Sequence, residues 1–259
     1  KYMSRFSKNR FTRSSNPFMR ETAYQNAANE PLDANMAQGG ILAEKMTVQG
    51  AINKTFLLTA LLMITAIFSF SNPSSLFMWG GAIGGLVIVL IAAFRPQSSP
   101  VLAPIYALLE GLFVGSISAM YANFYDGIIF NAVLLTVATL FMMLFIYKSG
   151  IIKVTNKLRT GVIMATGAVA LVYVLTWVLG MFGIQVPFLH EGGTMGIVIS
   201  AVIIGIAALN LLLDFDNFEK GEQYGAPKYM EWFSAMGLLI TLVWLYIEFL
   251  RLLSILSSD

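Results

Sequence analysis

Acidic residues set inside long apolar runs are where this sequence offers chemistry. An ionisable side chain at membrane depth costs a few kcal/mol at least, about 3 on insertion scales, so it faces a cavity or a partner. Glu110 lies in the run 101–122, about nine residues from one end, which is ~14 Å deep at helical rise. No Lys or Arg sits within one turn of it. Two readings stay open: a proton- or cation-responsive site, or a neutral glutamic acid hydrogen-bonded across helices. Asp214 abuts the apolar run 195–213 directly, in Leu213-Asp214-Phe215-Asp216-Asn217-Phe218-Glu219. It is the better site candidate. Asp216 and Glu219 read as a solvated cytoplasmic acidic cluster at the helix end. Glu248 and Arg251 stand three apart in the last run, on one helix face, where a local ion pair masks both charges. Glu110, Glu248 and Arg251 together are candidates for a buried polar path. Asn210 and Thr241 are lesser polar residues at plausible facing depths.

Enzyme chemistries fare badly. The chain has no cysteine, which excludes disulfides, thiolate catalysis and Cys-ligated zinc. Its one histidine, His190, lies in a connection beside Glu191, so an intramembrane Ser–His dyad has no histidine at depth. HExxH is absent, as is the Gly-x-Gly-Asp signature of intramembrane aspartyl proteases. Gly115-Ser116-Ile117-Ser118 matches a nucleophile motif only weakly. Carboxylates can collect Ca²⁺ through oxygen ligands, but no EF-hand spacing is present. No enzyme activity, cofactor or dedicated metal site is expected.

The elements that must position these residues are set by composition. Of 259 residues, 57% are hydrophobic and 12% charged, against roughly 25% charged in a soluble domain. Apolar runs at 55–70, 76–94, 101–122, 128–147, 162–182, 195–213 and 234–256 approach the ~20 residues that span a hydrocarbon core. The first is short and extends backward through Ile52. The runs are apolar all round, without the alternation of barrel strands, so helices are the solution that satisfies the backbone in lipid. The fold class expected is an all-α integral membrane protein, a seven-transmembrane-helix bundle at 46–259 with the bilayer as its partner. Residues 1–45 read as a flexible tail, its basic residues Lys1, Arg5, Lys8, Arg10, Arg13 and Arg20 drawn to anionic lipid in preference to nucleic acid.

Lys and Arg in short connections set orientation. With the N-terminus cytoplasmic, the inside segments hold the tail and Lys54, Arg95, Lys148, Lys153, Lys157, Arg159, Lys220 and Lys228, while connections 71–75, 123–127 and 183–193 hold none. Seven spans then place the C-terminus outside. Gly80-Gly81-Ala82-Ile83-Gly84-Gly85, and Gly111, Gly115 and Ser116, read as close helix packing and not as a phosphate loop.

A family resemblance adds to this. Its carriers are Arg95-Pro96-Gln97-Ser98-Ser99-Pro100, Tyr106-Ala107-Leu108-Leu109-Glu110-Gly111-Leu112-Phe113-Val114-Gly115, the Leu213–Glu219 run, Tyr229-Met230-Glu231-Trp232 and Leu245-Tyr246-Ile247-Glu248-Phe249-Leu250-Arg251-Leu252-Leu253. Over roughly residues 50–259 the chain resembles the Bax inhibitor-1 superfamily, in its bacterial YccA-like branch. The resemblance implies a bacterial inner membrane location and six helices around a central seventh. It also implies a pH-sensitive Ca²⁺ leak, latched in some members by two aspartates that share a proton. Asp214 matches the first. Registering the C-terminal motif puts Thr241 at the second, with Glu248 about two turns deeper. The family pattern therefore leaves a gate of one acid and one hydroxyl, with Ca²⁺ or H⁺ as permeant ion. The alternative it implies is an interaction protein that modulates a membrane-anchored ATP-dependent protease, with the basic tail as handle. A transporter built from inverted repeats ranks lower, since no internal symmetry is visible.

Overall fold

The computed structural model describes residues 44–182 and 193–258. The basic residues of the tail and His190 lie outside these. Among the described residues seven helices are long and apolar enough to cross a membrane. They are α1 (Val48–Ser71), α2 (Ser75–Phe94), α3 (Ser99–Ala122), α4 (Ile128–Ser149), α5 (Asn156–Met181), α6 (Thr194–Gln223) and α7 (Tyr229–Ser258). A 3₁₀ turn, Pro96–Ser98, joins α2 to α3 where the Pro-rich connection was expected.

Local signals fix the helix ends. The Thr47 hydroxyl accepts from Gly50 N at 2.9 Å to start α1, and Ser74 accepts from Phe77 N at 3.2 Å to start α2. Thr155 does the same for α5 through Leu158 N at 3.3 Å. Each bond satisfies an amide that a helix start leaves open. Gly127 and Gly150 bracket α4 with φ of 72° and 67°, conformations that only glycine takes readily.

Several helices outrun their apolar runs; α5, for one, starts at Asn156, six residues before the run predicted from 162. The sequence predicts α6 to close near residue 213, yet it continues to Gln223. α7 begins at Tyr229, five residues before the apolar run predicted from 234. The added turns are polar, and partners on neighbouring helices hold them, as described below. A hydropathy window does not see such turns.

α7 is the most buried span and packs against α1, α3, α4 and α6. Its position agrees with the central last helix that the resemblance implies. α2 leans mainly on α3, and α5 mainly on α6. The core holds Leu58, Leu62, Tyr106, Leu211, Phe233, Met236, Leu239, Leu245 and Leu250. Many large apolar side chains remain on the outside, including Phe56, Ile64, Leu76, Phe94, Phe130, Phe141 and Phe145. In water such a surface would aggregate; against lipid chains it is matched.

Small residues let α1, α3 and α2 meet closely. A Cβ at Gly115 would lie 2.1 Å from the Ala66 carbonyl oxygen, and one at Gly111 would lie 2.3 Å from that of Leu62. On its other side α3 presses on α2, where a Cβ at Gly81 would lie 2.6 Å from the Leu109 carbonyl oxygen. Beside this contact the Ser69 hydroxyl lies 2.7 Å from that of Ser116, linking α1 to α3. Gly80, by contrast, has open space around it.

Gly115→Ala is therefore expected to lower the thermal midpoint in detergent, at the ~1–3 kcal/mol cost of overpacking. Gly80→Ala should leave it unchanged or slightly raised, and equal midpoints for the two variants would contradict the close α1–α3 contact.

Candidate functional site

Asp214 sits in the extended part of α6, facing α7. Its Oδ2 accepts from the Thr241 hydroxyl at 2.7 Å, across 27 residues of chain. The pair is buried, with Asp214 6% and Thr241 5% exposed. Thr241 also lies 3.3 Å from its own helix carbonyl at Gly237, so its hydroxyl is held between α7 and the carboxylate. The structure thus joins the two residues that the motif register paired. The nearby formal charge acting on Asp214 is that of Arg159 on α5.

Arg159 changes the reading of the acidic end of α6. The sequence places it in a solvated connection, yet it belongs to α5 and is 6% exposed. Its guanidinium bonds Asp216 through Nη2 and donates to Asn217 Oδ1 at 2.9 Å through Nη1. Lys220 adds a contact to Asp216 at 3.2 Å, one turn along the same helix. Asp216 is therefore not the solvated end expected; its side chain is 14% exposed and pinned between two cations. Glu219 is more open, and takes the Tyr147 hydroxyl at 2.8 Å and the Lys148 ammonium at 3.4 Å, both from α4. The acids after residue 213 tie α4 and α5 to α6, so the helix persists past its apolar run.

Farther along α7, Glu248 and Arg251 lie 3.7 Å apart, oxygen to nitrogen. That is long for a hydrogen bond, and the bond each makes goes elsewhere. The Tyr173 hydroxyl donates to Glu248 Oε1 and accepts from Arg251 Nη1 at 2.9 Å. A tyrosine on α5 thus completes what the sequence reads as a pair within one helix. Glu110 stands apart, at the α2–α3 contact. Tyr106 stands one turn earlier on the same helix, and a Cβ on Gly85 would lie 2.8 Å from Glu110 Oε2. Glu110 is thus on a different interface from Asp214, and no described contact joins them into one path.

A further acid, Glu231, escaped the sequence reading as a site residue. It lies in the first turn of α7 and is 2% exposed. Its Oε1 accepts from both Thr47 N and the Thr47 hydroxyl at 3.1 Å, at the start of α1. Around it, Met46 N donates to Ala226 O at 2.7 Å, Lys228 N donates to Glu44 O at 2.9 Å, and Lys228 pairs with Glu44. The segment before α1 is clipped to the α6–α7 connection. Residue type alone offered a faint signal for Arg159 and Tyr173: with Thr166 they recur every seven residues on α5. For Glu231 it offered none, because the partner lies 184 residues away.

Described groups of three or more His, Cys, Asp or Glu that could hold a metal are absent among the described residues. The arrangement couples helices through buried carboxylates, hydroxyls and a guanidinium. A multi-pass helical membrane protein with a polar, partner-held interior is the class this defines. A family model described as Bax inhibitor 1 like matches residues 9–258, and the chain belongs to that family. Comparisons with curated proteins and with solved structures find no match.

Arg159→Met removes one partner of a buried ion pair, which costs ~3–5 kcal/mol when nothing compensates. Lys220 stays beside Asp216, so the loss in thermal unfolding should fall near the low end. No change in the midpoint would mean that the α5–α6 clasp carries no stability.

Proposed function

We propose that the protein is a pH-modulated cation leak, with Ca²⁺ or H⁺ as the permeant ion and the Asp214–Thr241 contact as its gate. The observation that carries this reading is a carboxylate buried between α6 and the central α7, bonded there by one hydroxyl. An acid in such a place is costly unless it faces something other than lipid. Protonation decides whether Asp214 carries charge, and therefore whether it keeps the α6–α7 contact or draws water and cations toward it. A second carboxylate is not opposite it, so the gate does not depend on repulsion between like charges. Glu248, with Arg251 and Tyr173, serves as the next polar station along α7. The role is transport and not catalysis. The Lys/Arg asymmetry supports a cytoplasmic N-terminus, and the bacterial inner membrane is the location we assign.

Reconstituted into liposomes loaded with a Ca²⁺ dye, the wild type is expected to leak at a rate that changes with pH. Asp214→Asn keeps an oxygen for Thr241 but cannot ionise, so its rate should be flat across pH. Superimposable curves for the two proteins would remove Asp214 from the gate. In the same assay Thr241→Asp places a second carboxylate opposite the first. Loss of a shared proton then sets like charges against each other, so its leak should rise with pH more steeply than that of the wild type.

A second reading, an interaction protein that modulates a membrane-anchored ATP-dependent protease, is favoured by the clip at residues 44–48. A partner that pulls on the chain before α1 acts on the base of α7 through Glu231. Deleting residues 1–40 should abolish native co-purification of such a protease while leaving the pH-dependent leak intact. Co-purification that survives the deletion counts against the tail as the handle.

A further inference from the structure

α5 is the least buried of the described spans. Met164, Leu171, Val174 and Leu175 all point outward. Its attachment is mainly polar. Arg159 holds Asp216 and Asn217, the Thr166 hydroxyl accepts from Asn210 Nδ2 at 2.8 Å, and Tyr173 holds Glu248 and Arg251. Positions 159, 166 and 173 are seven apart, close to two helical turns, so they form one stripe along α5. The buried apolar contact beside the stripe is small, with Val162 packed against Leu213.

This attachment has a physical consequence. Lipid tails are as apolar as leucine, so no hydrophobic force holds one membrane helix to another. Interhelical hydrogen bonds in a bilayer contribute modestly, and these three links act beside the small Val162–Leu213 contact. The same seam contains a buried oxygen without a hydrogen-bond partner, Asn210 Oδ1, while Glu248 Oε2 makes no hydrogen bond and faces the Arg251 guanidinium at 3.7 Å. Asn210 is fully buried and Glu248 is 2% exposed. A buried acceptor left unmatched is costly, and it is satisfied by a water proton or a cation. Thr166 and Tyr173 are ~10 Å apart along the axis, so the oxygens beside them form two separate stations.

We propose that α5 is a hinged wall, and that when it parts from α6 and α7 the seam fills with water and takes the permeant cation at the Asn210 amide oxygen and the Glu248 carboxylate. The cation half rests on the leak reading above; the parting of the wall does not. The stripe sets how often the wall opens, and the outer face of α5 stays against lipid as it moves.

The chain has no cysteine, so introduced thiols report alone. Leu213→Cys, fully buried in the seam, is reacted with a charged methanethiosulfonate in liposomes. Adding Thr166→Val and Tyr173→Phe should speed labelling at least tenfold, whereas adding Leu171→Ala, on the outer face, should leave it unchanged. Equal labelling with and without the two links, in protein that elutes as one sharp species, overturns the hinged wall. Val162→Cys with Leu213→Cys is then cross-linked and tested for Ca²⁺ flux. Loss of flux that reductant restores supports the seam as the route; full flux through the cross-linked protein overturns it. If the reduced pair conducts no cation while labelling still accelerates, the leak reading and the cation half fail, and the wall stands.

Discussion

A charged or hydrogen-bonding group inside a bilayer must find a partner within the protein, and this one constraint organises the structure. Lipid supplies no donors, and the greasy surfaces of the helices do not attract one another across it. The polar residues therefore decide which helices stay together. Asp214 and Thr241 join α6 to α7, Arg159 with Asp216 and Asn217 joins α5 to α6, and Tyr173 joins α5 to α7. Elsewhere the helices use glycine to approach, as α1, α2 and α3 do, with the Ser69–Ser116 hydrogen bond beside the α1–α3 contact. The bundle thus has two kinds of contact. One is close-packed and apolar around α3, and the other is polar and looser around α5.

The two kinds have different consequences for motion. A close-packed contact is bistable at best, since a small shift meets backbone atoms at once. A contact made by a few hydrogen bonds has fewer obstacles to parting. The candidate gate lies at the boundary, on α6, with close packing toward α7 and the α5 stripe on its other side. That placement sets Asp214 between the densely packed α7 and the sparsely packed α5.

Much of the fold was legible because hydrophobicity and length dictate it. Apolar runs, proline-rich turns and the glycine-rich segments of α2 and α3 each state a local rule, and the spans follow. The extended ends of α6 and α7 were not legible, since their helicity depends on partners. Asp216 and Glu219 look like a solvated terminus until Arg159, Tyr147 and Lys148 are brought beside them. Thr241 was readable as a lesser polar residue at a facing depth, and its register in a family motif singled it out. Glu231 was hidden, and Tyr173 showed no more than a seven-residue recurrence, because a side chain's role in a bundle is fixed by what stands across the gap.

The clip between Thr47 and Glu231 bears on how the molecule is made. The first membrane helix leaves the ribosome with its opening amides uncapped by that carboxylate, and the acid that reaches them is built 184 residues later. Insertion can thread six helices before that bond exists. Its closure brings α1 and α7 together, so it forms only after the chain from α1 to the start of α7 has been made.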